Sequence, residues 1–371
     1  MALTNFAALT SYQKMVWSRD LWKAARDQMF INKFMGSDQN SVIQRITELT
    51  RTEKGEQVIM FLLADLVGDG VIGDNEREGN EEAMMSYNQI ITIDMISHGV
   101  RQKGKLSDQK TVINFRENGR DRLAYWLANR MDQLAFLTLG GVSYAYNNNL
   151  SARTSSAFSN LAFAANVVAP STNRGYRVTS SGGVYTGLAA ADTTATLVGD
   201  HLTYQAIVDI VTKAKTNYVK PLMAGGKEYY VALVRPEQLA QLKKDDNFQR
   251  AVVTGMPRGE DNPFFSGATL TVDGLVIHEH RLVPNTTGAV SGSGKWGAGN
   301  LVEGARALIC GAQALGFADL GSPEWSEKWF NYDSSPGINV DKMFGFLKPQ
   351  FYSIYNKSVE DFGVMTVDTA I

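Results

Sequence analysis

Several stretches of this chain carry residue types that could do chemistry, and each is an incomplete version of a known device. Ala289-Val290-Ser291-Gly292-Ser293-Gly294-Lys295-Trp296 approaches a phosphate-binding loop. Such a loop needs glycines for close backbone approach, a lysine for phosphate and a Ser or Thr for magnesium. Trp296 stands in the Ser/Thr place, and Gly297 and Gly299 follow where a helix should begin, so 289–296 reads as a surface loop. Asp69, Asp74, Glu76, Glu78, Glu81 and Glu82 crowd one short segment and could gather around a hard cation. Their spacing misses the helix-loop-helix calcium pattern. An acidic turn that stays solvated, or meets a basic patch on a neighbour, is the preferred reading. His278 and His280 would share one face of a strand, with no third zinc ligand evident nearby. Together with His98 and His201 they form no nucleophile-base-acid set. Cys310, inside Ala307-Leu308-Ile309-Cys310, reads as a small buried apolar residue. Lys213, Lys215 and Lys220 with Tyr218, and Lys243, Lys244 and Arg250, read as solvated helix faces. No catalytic residue, cofactor site or metal site is predicted.

Composition narrows the class without naming a function. A chain of 371 residues predicts two or three structural units on a prior of about 150 residues each. The net charge of −2 supplies no global basic field for gripping nucleic acid. The single cysteine excludes an intrachain disulfide framework and fits a reducing compartment. Residues 1–17 lack the basic start and long apolar centre of a signal peptide. No run is apolar enough, over the roughly 18 residues required, to span a bilayer. A soluble cytoplasmic protein is expected.

The elements that would position these residues are mixed helix and strand, without the regular alternation of a doubly wound sheet or a TIM barrel. Trp17, Leu21, Trp22, Ala25, Met29 and Phe30 recur at helical spacing. Residues 56–66 and 87–98 are rich in β-branched and large apolar side chains and read as two strands. Between them lies the glycine- and carboxylate-rich stretch 68–82. A long two-stranded ribbon cannot bury its own apolar face, so 51–104 predicts an arm covered by another molecule. Val58, Met60, Leu62, Ile91 and Ile93 are the expected buried contacts. Asp69, Asp74, Glu78 and Glu81 are the expected polar contacts at its tip. A long helix is predicted over 108–139, with Asp108 as N-cap, Gly119 as a possible bend and Gly140-Gly141 as its stop. Residues 143–200 read as irregular surface chain. A helix over 201–219, a strand over 229–234 and a helix opened by Pro236 follow. Strand-like runs come at 270–278, 305–320 and 338–371.

The order of several short motifs resembles a major capsid family of tailed bacteriophages, the branch typified by the coat protein of podovirus N-four. Gly68-Asp69-Gly70-Val71-Ile72-Gly73-Asp74, continuing through Glu78-Gly79-Asn80-Glu81-Glu82, carries most of the resemblance. The runs 121–132 with 139–141, 234–239 with 242–245, 262–267, 311–314 and 361–364 follow in the same order. The resemblance implies the shell fold shared by tailed phages and herpesviruses, an α+β fold. Residues 1–50 would be an N-terminal arm, and 51–104 an extended two-stranded loop. A peripheral domain over 105–202 would be built on the long spine helix, with an axial domain over 203–335 and a return to the peripheral domain over 336–371.

The expected function is a major capsid protein. Pentamers and hexamers would close an icosahedral shell around double-stranded DNA, touched through nonspecific contacts. Portal, scaffold and decoration proteins are possible further partners, and no membrane is expected. The protein would lie in the virion after assembly in the host cytoplasm. A non-viral, encapsulin-like compartment shell is the alternative, and a nucleotide-dependent enzyme using 289–296 is the third reading.

Overall fold

The computed structural model describes residues 11–47, 55–63, 66, 68–82, 86–110, 115–179, 184–186, 193–255 and 270–371. The first ten residues, 48–54, 111–114 and the motif at 262–267 are among those that lie outside them.

Two sheets share one apolar interior. The first has six strands, ordered Met35–Gly36, Ile43–Ile46, Leu315–Asp319, Ser335–Leu347 and Glu324–Phe330, with Asp94–Arg101 also paired to Ser335–Leu347. The second has eight. Its order is Leu270–Val272, Leu275–Glu279, Lys227–Val234, Gly304–Cys310, Val364–Ala370, Gly175–Val178 and Val184–Thr186, with Leu222–Ala224 on the side of Lys227–Val234. Side chains alternate between the faces of a strand, and the second sheet uses both. Tyr230, Ala232, Val234, Ala307 and Ile309 face a cluster made by the helices Tyr204–Thr216, Pro236–Lys244 and Asp246–Gly255. Val231, Leu233, Leu308 and Cys310 face the cluster shared with the long helix and the first sheet. Val364–Ala370, central in the second sheet, is buried at every position.

The long helix runs Phe115–Gly140, about 39 Å at 1.5 Å per residue. It starts later than 108. Asp108 lies inside a separate short helix, Lys105–Gln109, ahead of the long one. Gly119 marks a close approach: a Cβ there would stand 3.2 Å from the Ile338 Cδ1 of the first sheet. The predicted stop holds. Gly141 has φ +65°, its N–H reaches Thr138 O at 3.2 Å, and the Val142 N–H reaches Leu137 O at 2.9 Å. This is the paired-bond glycine termination in which a left-handed residue satisfies the last carbonyls. Residues 134–140 are all buried, because the helix end is enclosed on all sides rather than along one stripe.

The N-terminal helix Ser11–Gln28 packs on the long helix through Leu21, Trp22, Ala25 and the following Met29. Its exit is held by a buried carboxylate. Asp132 accepts the Phe30 N–H at 3.0 Å and the Ile31 N–H at 3.2 Å. Burial raises its pKa to about 6, against the lowering effect of those two bonds.

Two expectations change. The stretch 143–200 is not purely surface: Tyr144, Phe163, Arg174 and Tyr176 are fully buried, and it donates two strands to the second sheet. Nor does the chain change sheets at 335. Leu315–Asp319 and Glu324–Phe330 already belong to the first sheet, and Val364–Ala370 belongs to the second. The chain crosses between the sheets at 311–314, where Gly311 lies so close to the Lys220 carbonyl that a Cβ would sit 2.0 Å from it.

Candidate assembly surfaces

The ribbon is shorter than 51–104. Gln57–Leu63 pairs antiparallel with Ser86–Thr92, matching Val58 with Ile91 and Leu62 with Tyr87. Beyond Ile93 the second arm leaves its partner, and Asp94–Arg101 joins the first sheet against Ser335–Leu347. Alternation gives the paired stem two faces. Val58, Met60, Leu62 and Ile91 are at most 3% exposed, packed on Ile46, Ala318, Leu347 and Phe362 of the same chain. Ile93 is partly buried against this cluster. Glycines make the approach possible: a Cβ on Gly316 would stand 2.8 Å from the Met60 Sδ, and one on Gly345 2.3 Å from the Thr92 carbonyl. These five apolar residues were expected to await a neighbouring molecule. The first sheet lies beneath the stem and takes them instead. The opposite face, Ile59, Phe61 and Ile90, is 43–50% exposed.

The tip differs from the stem. Residues 68–70 and 72–82 are exposed, as is Leu66. Local bonds shape this segment. Glu82 Oε2 accepts the Gly68 N–H and Glu81 Oε2 accepts the Gly79 N–H, each at 2.7 Å, and Asn75 and Asn80 donate to the Ile72 and Glu76 carbonyls. Asp69, Asp74 and Glu78 form no ion pair among the described residues. Nor do the described residues include three carboxylate, His or Cys ligands placed to hold a metal ion. The tip therefore presents charge outward, with Ile72 79% exposed among it.

The other sequence candidates fall into structural roles. Lys295 Nζ sits 2.6 Å from Glu303 Oε1, Trp296 bridges to Val302, and the chain then enters the strand Gly304–Cys310. His280 stacks against the rings of Phe30 at 4.2 Å and Phe136 at 5.1 Å, and His278 meets Phe34 at 5.0 Å. Burial, with Arg281 and Lys33 nearby, lowers the His280 pKa to about 4, so the pair serves as neutral aromatic packing. Cys310 is fully buried, and burial pushes its thiol up to about 12, away from nucleophilic use. Lys220 lies 5.5 Å over the Phe362 ring.

Two exposed features were missed. The hairpin between Glu324–Phe330 and Ser335–Leu347 turns through Asn331, Tyr332 and Asp333, all at positive φ, with the Tyr332 side chain fully in solvent. A recess beside the long helix contains Arg130 and Arg153. Neither has a local signature, because an ordinary hairpin loop and two arginines far apart in sequence announce nothing.

An apolar hairpin laid on a sheet, a long buried helix and an outward charged tip are the features that the described residues present. A family model described as phage capsid protein matches residues 5–371. The chain belongs to the phage capsid protein family. The major capsid protein of Pseudomonas phage KPP25 is 50% identical over 370 residues, 99% of this chain and 97% of that protein. The capsid of Ralstonia phage GP4 matches with a TM-score of 0.73 and 27% identity, over 92% of this chain and 90% of that one. The capsid of cyanophage Pam1 matches with a TM-score of 0.71 and 19% identity, over 100% and 96% of the two chains. The fold is that of tailed-phage capsids. The chain is the major capsid protein of a phage, a virion component whose copies assemble into a shell. None of these likenesses favours the compartment-shell alternative.

Proposed function

We propose that this capsid protein rings into pentamers and hexamers, which close an icosahedral shell around double-stranded DNA. Assembly takes place in the host cytoplasm, and the protein's role is structural rather than catalytic. The first sheet with the long helix acts as the peripheral domain, and the second sheet with its three helices as the axial domain. Residues 1–50 act as an arm. Contacts with DNA are nonspecific and salt-sensitive, as phosphate contacts are. Portal, scaffold and decoration proteins are the further partners such a shell would meet.

One observation supports the contact between copies: the hairpin carries an exposed charged tip and an exposed apolar face on the stem, neither covered by described residues of its own chain. Asp69, Asp74, Glu78 and Glu81 act at the tip, and the stem anchors it. The 22 positions between the paired strands, 64–85, allow a reach of up to roughly 35 Å. Replacement of 68–82 by a short turn should leave a folded, soluble subunit with unchanged circular dichroism, and no closed particles in electron micrographs. Normal shells from that variant would remove the tip from the assembly mechanism.

A further inference from the structure

Several arginines of this chain are paired with carboxylates. Arg45 pairs with Asp319, Arg116 with Glu327, Arg174 with Glu360, Arg177 with Asp200 and Arg306 with Asp368, all at 2.5–3.3 Å. Among the described residues Arg130 and Arg153 have no such carboxylate. Arg130 Nη1 donates to the Gln133 Oε1 at 2.5 Å, and Arg153 Nη2 reaches the same oxygen at 3.5 Å. Two cations thus converge on one neutral amide oxygen. Arg153 is fixed further by a bond from its Nε to the Tyr146 carbonyl at 3.0 Å and by stacking over Phe158 at 4.9 Å. Both guanidiniums line a recess of about 500 Å³ between the long helix, the strand Asp94–Arg101 and the loop 147–161. His98, stacked on Trp126 at 4.5 Å, forms part of its wall. Burial and the facing Arg130 charge lower the Arg153 pKa, which marks an uncompensated positive site.

A half-buried pair of like charges is unfavourable until an anion enters, and planar guanidinium groups suit carboxylates geometrically. The same chain carries the complementary group. Asp69, Asp74, Glu76 and Glu78 stand exposed at the hairpin tip without an ion pair among the described residues. None of the described tip residues lines the recess of its own chain. Resting on the reading that the tip reaches a neighbouring copy, we propose that Arg130 and Arg153 receive tip carboxylates of a second copy of this chain. The recess beside the long helix is then the socket of the assembly contact, and its charge sets the register in which one subunit engages the next. Identical copies supply both halves, so every such contact carries the same pairing.

Charge exchange in the full-length protein tests the pairing. Arg130→Glu with Arg153→Glu, and separately Asp74→Lys with Glu78→Lys, should each lower the yield of closed shells at least about tenfold, since like charges facing across an interface oppose association strongly. Combining the four substitutions should restore shells to within about twofold of the parent yield. Because Arg153 also holds its loop, Arg130→Gln with Arg153→Gln serves as the milder arm, with the isolated subunit's thermal midpoint measured alongside. It should weaken shells in the same direction while the midpoint stays near that of the parent. Parent-like shells from both reversal variants, with the 68–82 replacement still failing to assemble, overturn the socket and leave the tip's role standing. Parent-like shells from all three overturn both. Normal shells that retain less DNA when Arg130 and Arg153 are replaced identify phosphate as the ligand and also overturn the proposal.

Discussion

The stem and the tip of the Gln57–Thr92 hairpin are continuous in sequence, yet they are covered by different things. In the stem, period-two alternation places Val58, Met60, Leu62 and Ile91 on one face, and the first sheet of the same chain buries them. In the tip, 68–82, no such alternation exists, the side chains are mostly small or charged, and the described residues leave all of them but Val71 exposed. A ribbon that had to wait for its neighbour along its whole length would be marginal alone. This one is anchored at the base and unfinished at the end. The difference separates two tasks that one hairpin performs: the stem belongs to folding, and the tip is left for assembly.

The largest effect that would break this comparison lies in the stem. Leu62→Ala should cost the isolated subunit about 2–5 kcal/mol in urea unfolding, through lost burial and the cavity it leaves. Ile72→Ala at the tip should cost under about 0.5 kcal/mol in the same measurement, because Ile72 is already in solvent. Equal shifts for the two variants would mean that the stem's cover is not its own first sheet.

Sequence patterning reached the strands, the long helix and the hairpin because those signals are local. The run of β-branched and large apolar residues at 57–63, glycine at 140–141 and proline at 236 each act within a few residues. What it could not reach was which face of the stem would meet which partner. Apart from Ile46, the cover comes from Ala318, Leu347 and Phe362, more than two hundred residues away, and two glycines that merely leave room. The exchange of strands between the sheets at 311–330 and 364–370 is equally nonlocal, since 315–319 and 364–370 read simply as strand and 324–330 carries no strand reading at all. The Arg130–Arg153 recess has the same cause: the arginines lie 23 positions apart, and one of them sits in a segment without periodicity.

Asp132 offers a smaller, pH-dependent probe of how fully the chain completes itself around the long helix. Its folded pKa, about 6, lies above the ordinary 3.8, so the stability it lends is complete below about pH 4 and is lost as pH rises through 6. The shift corresponds to about 2–3 kcal/mol at full effect. His280 acts in the opposite sense. Its pKa is lowered to about 4, so its contribution is present above the ordinary value near 6.5 and is lost on acidification. Subtracting the unfolding free energy of Asp132→Asn from that of the parent cancels the histidine to first order. The difference should fall as pH is raised from 4 to 7. A flat difference would show that Asp132 is as well solvated as any surface carboxylate, and the N-terminal segment would then lack its buried anchor.

The finest division lies within the stem, between its two faces. Ile59, Phe61 and Ile90 alternate with the buried set but stand half in water. Replacing all three with serine removes apolar surface that the isolated subunit does not bury completely, so its unfolding free energy should change by no more than about 1 kcal/mol. In the shell the outcome depends on whether a neighbour covers this face. Burial at roughly 25 cal/mol per Å² would give each of the three side chains up to about 1 kcal/mol per contact, and its loss should raise the subunit concentration needed for assembly. Light scattering across a dilution series reads that threshold directly. An unchanged threshold would confine the contact between copies to the charged tip and leave the outer face of the stem wet in the finished shell. A raised threshold with an unchanged monomer would show that the stem serves both tasks, one with each face, and that the boundary between folding and assembly runs along the strand rather than across it.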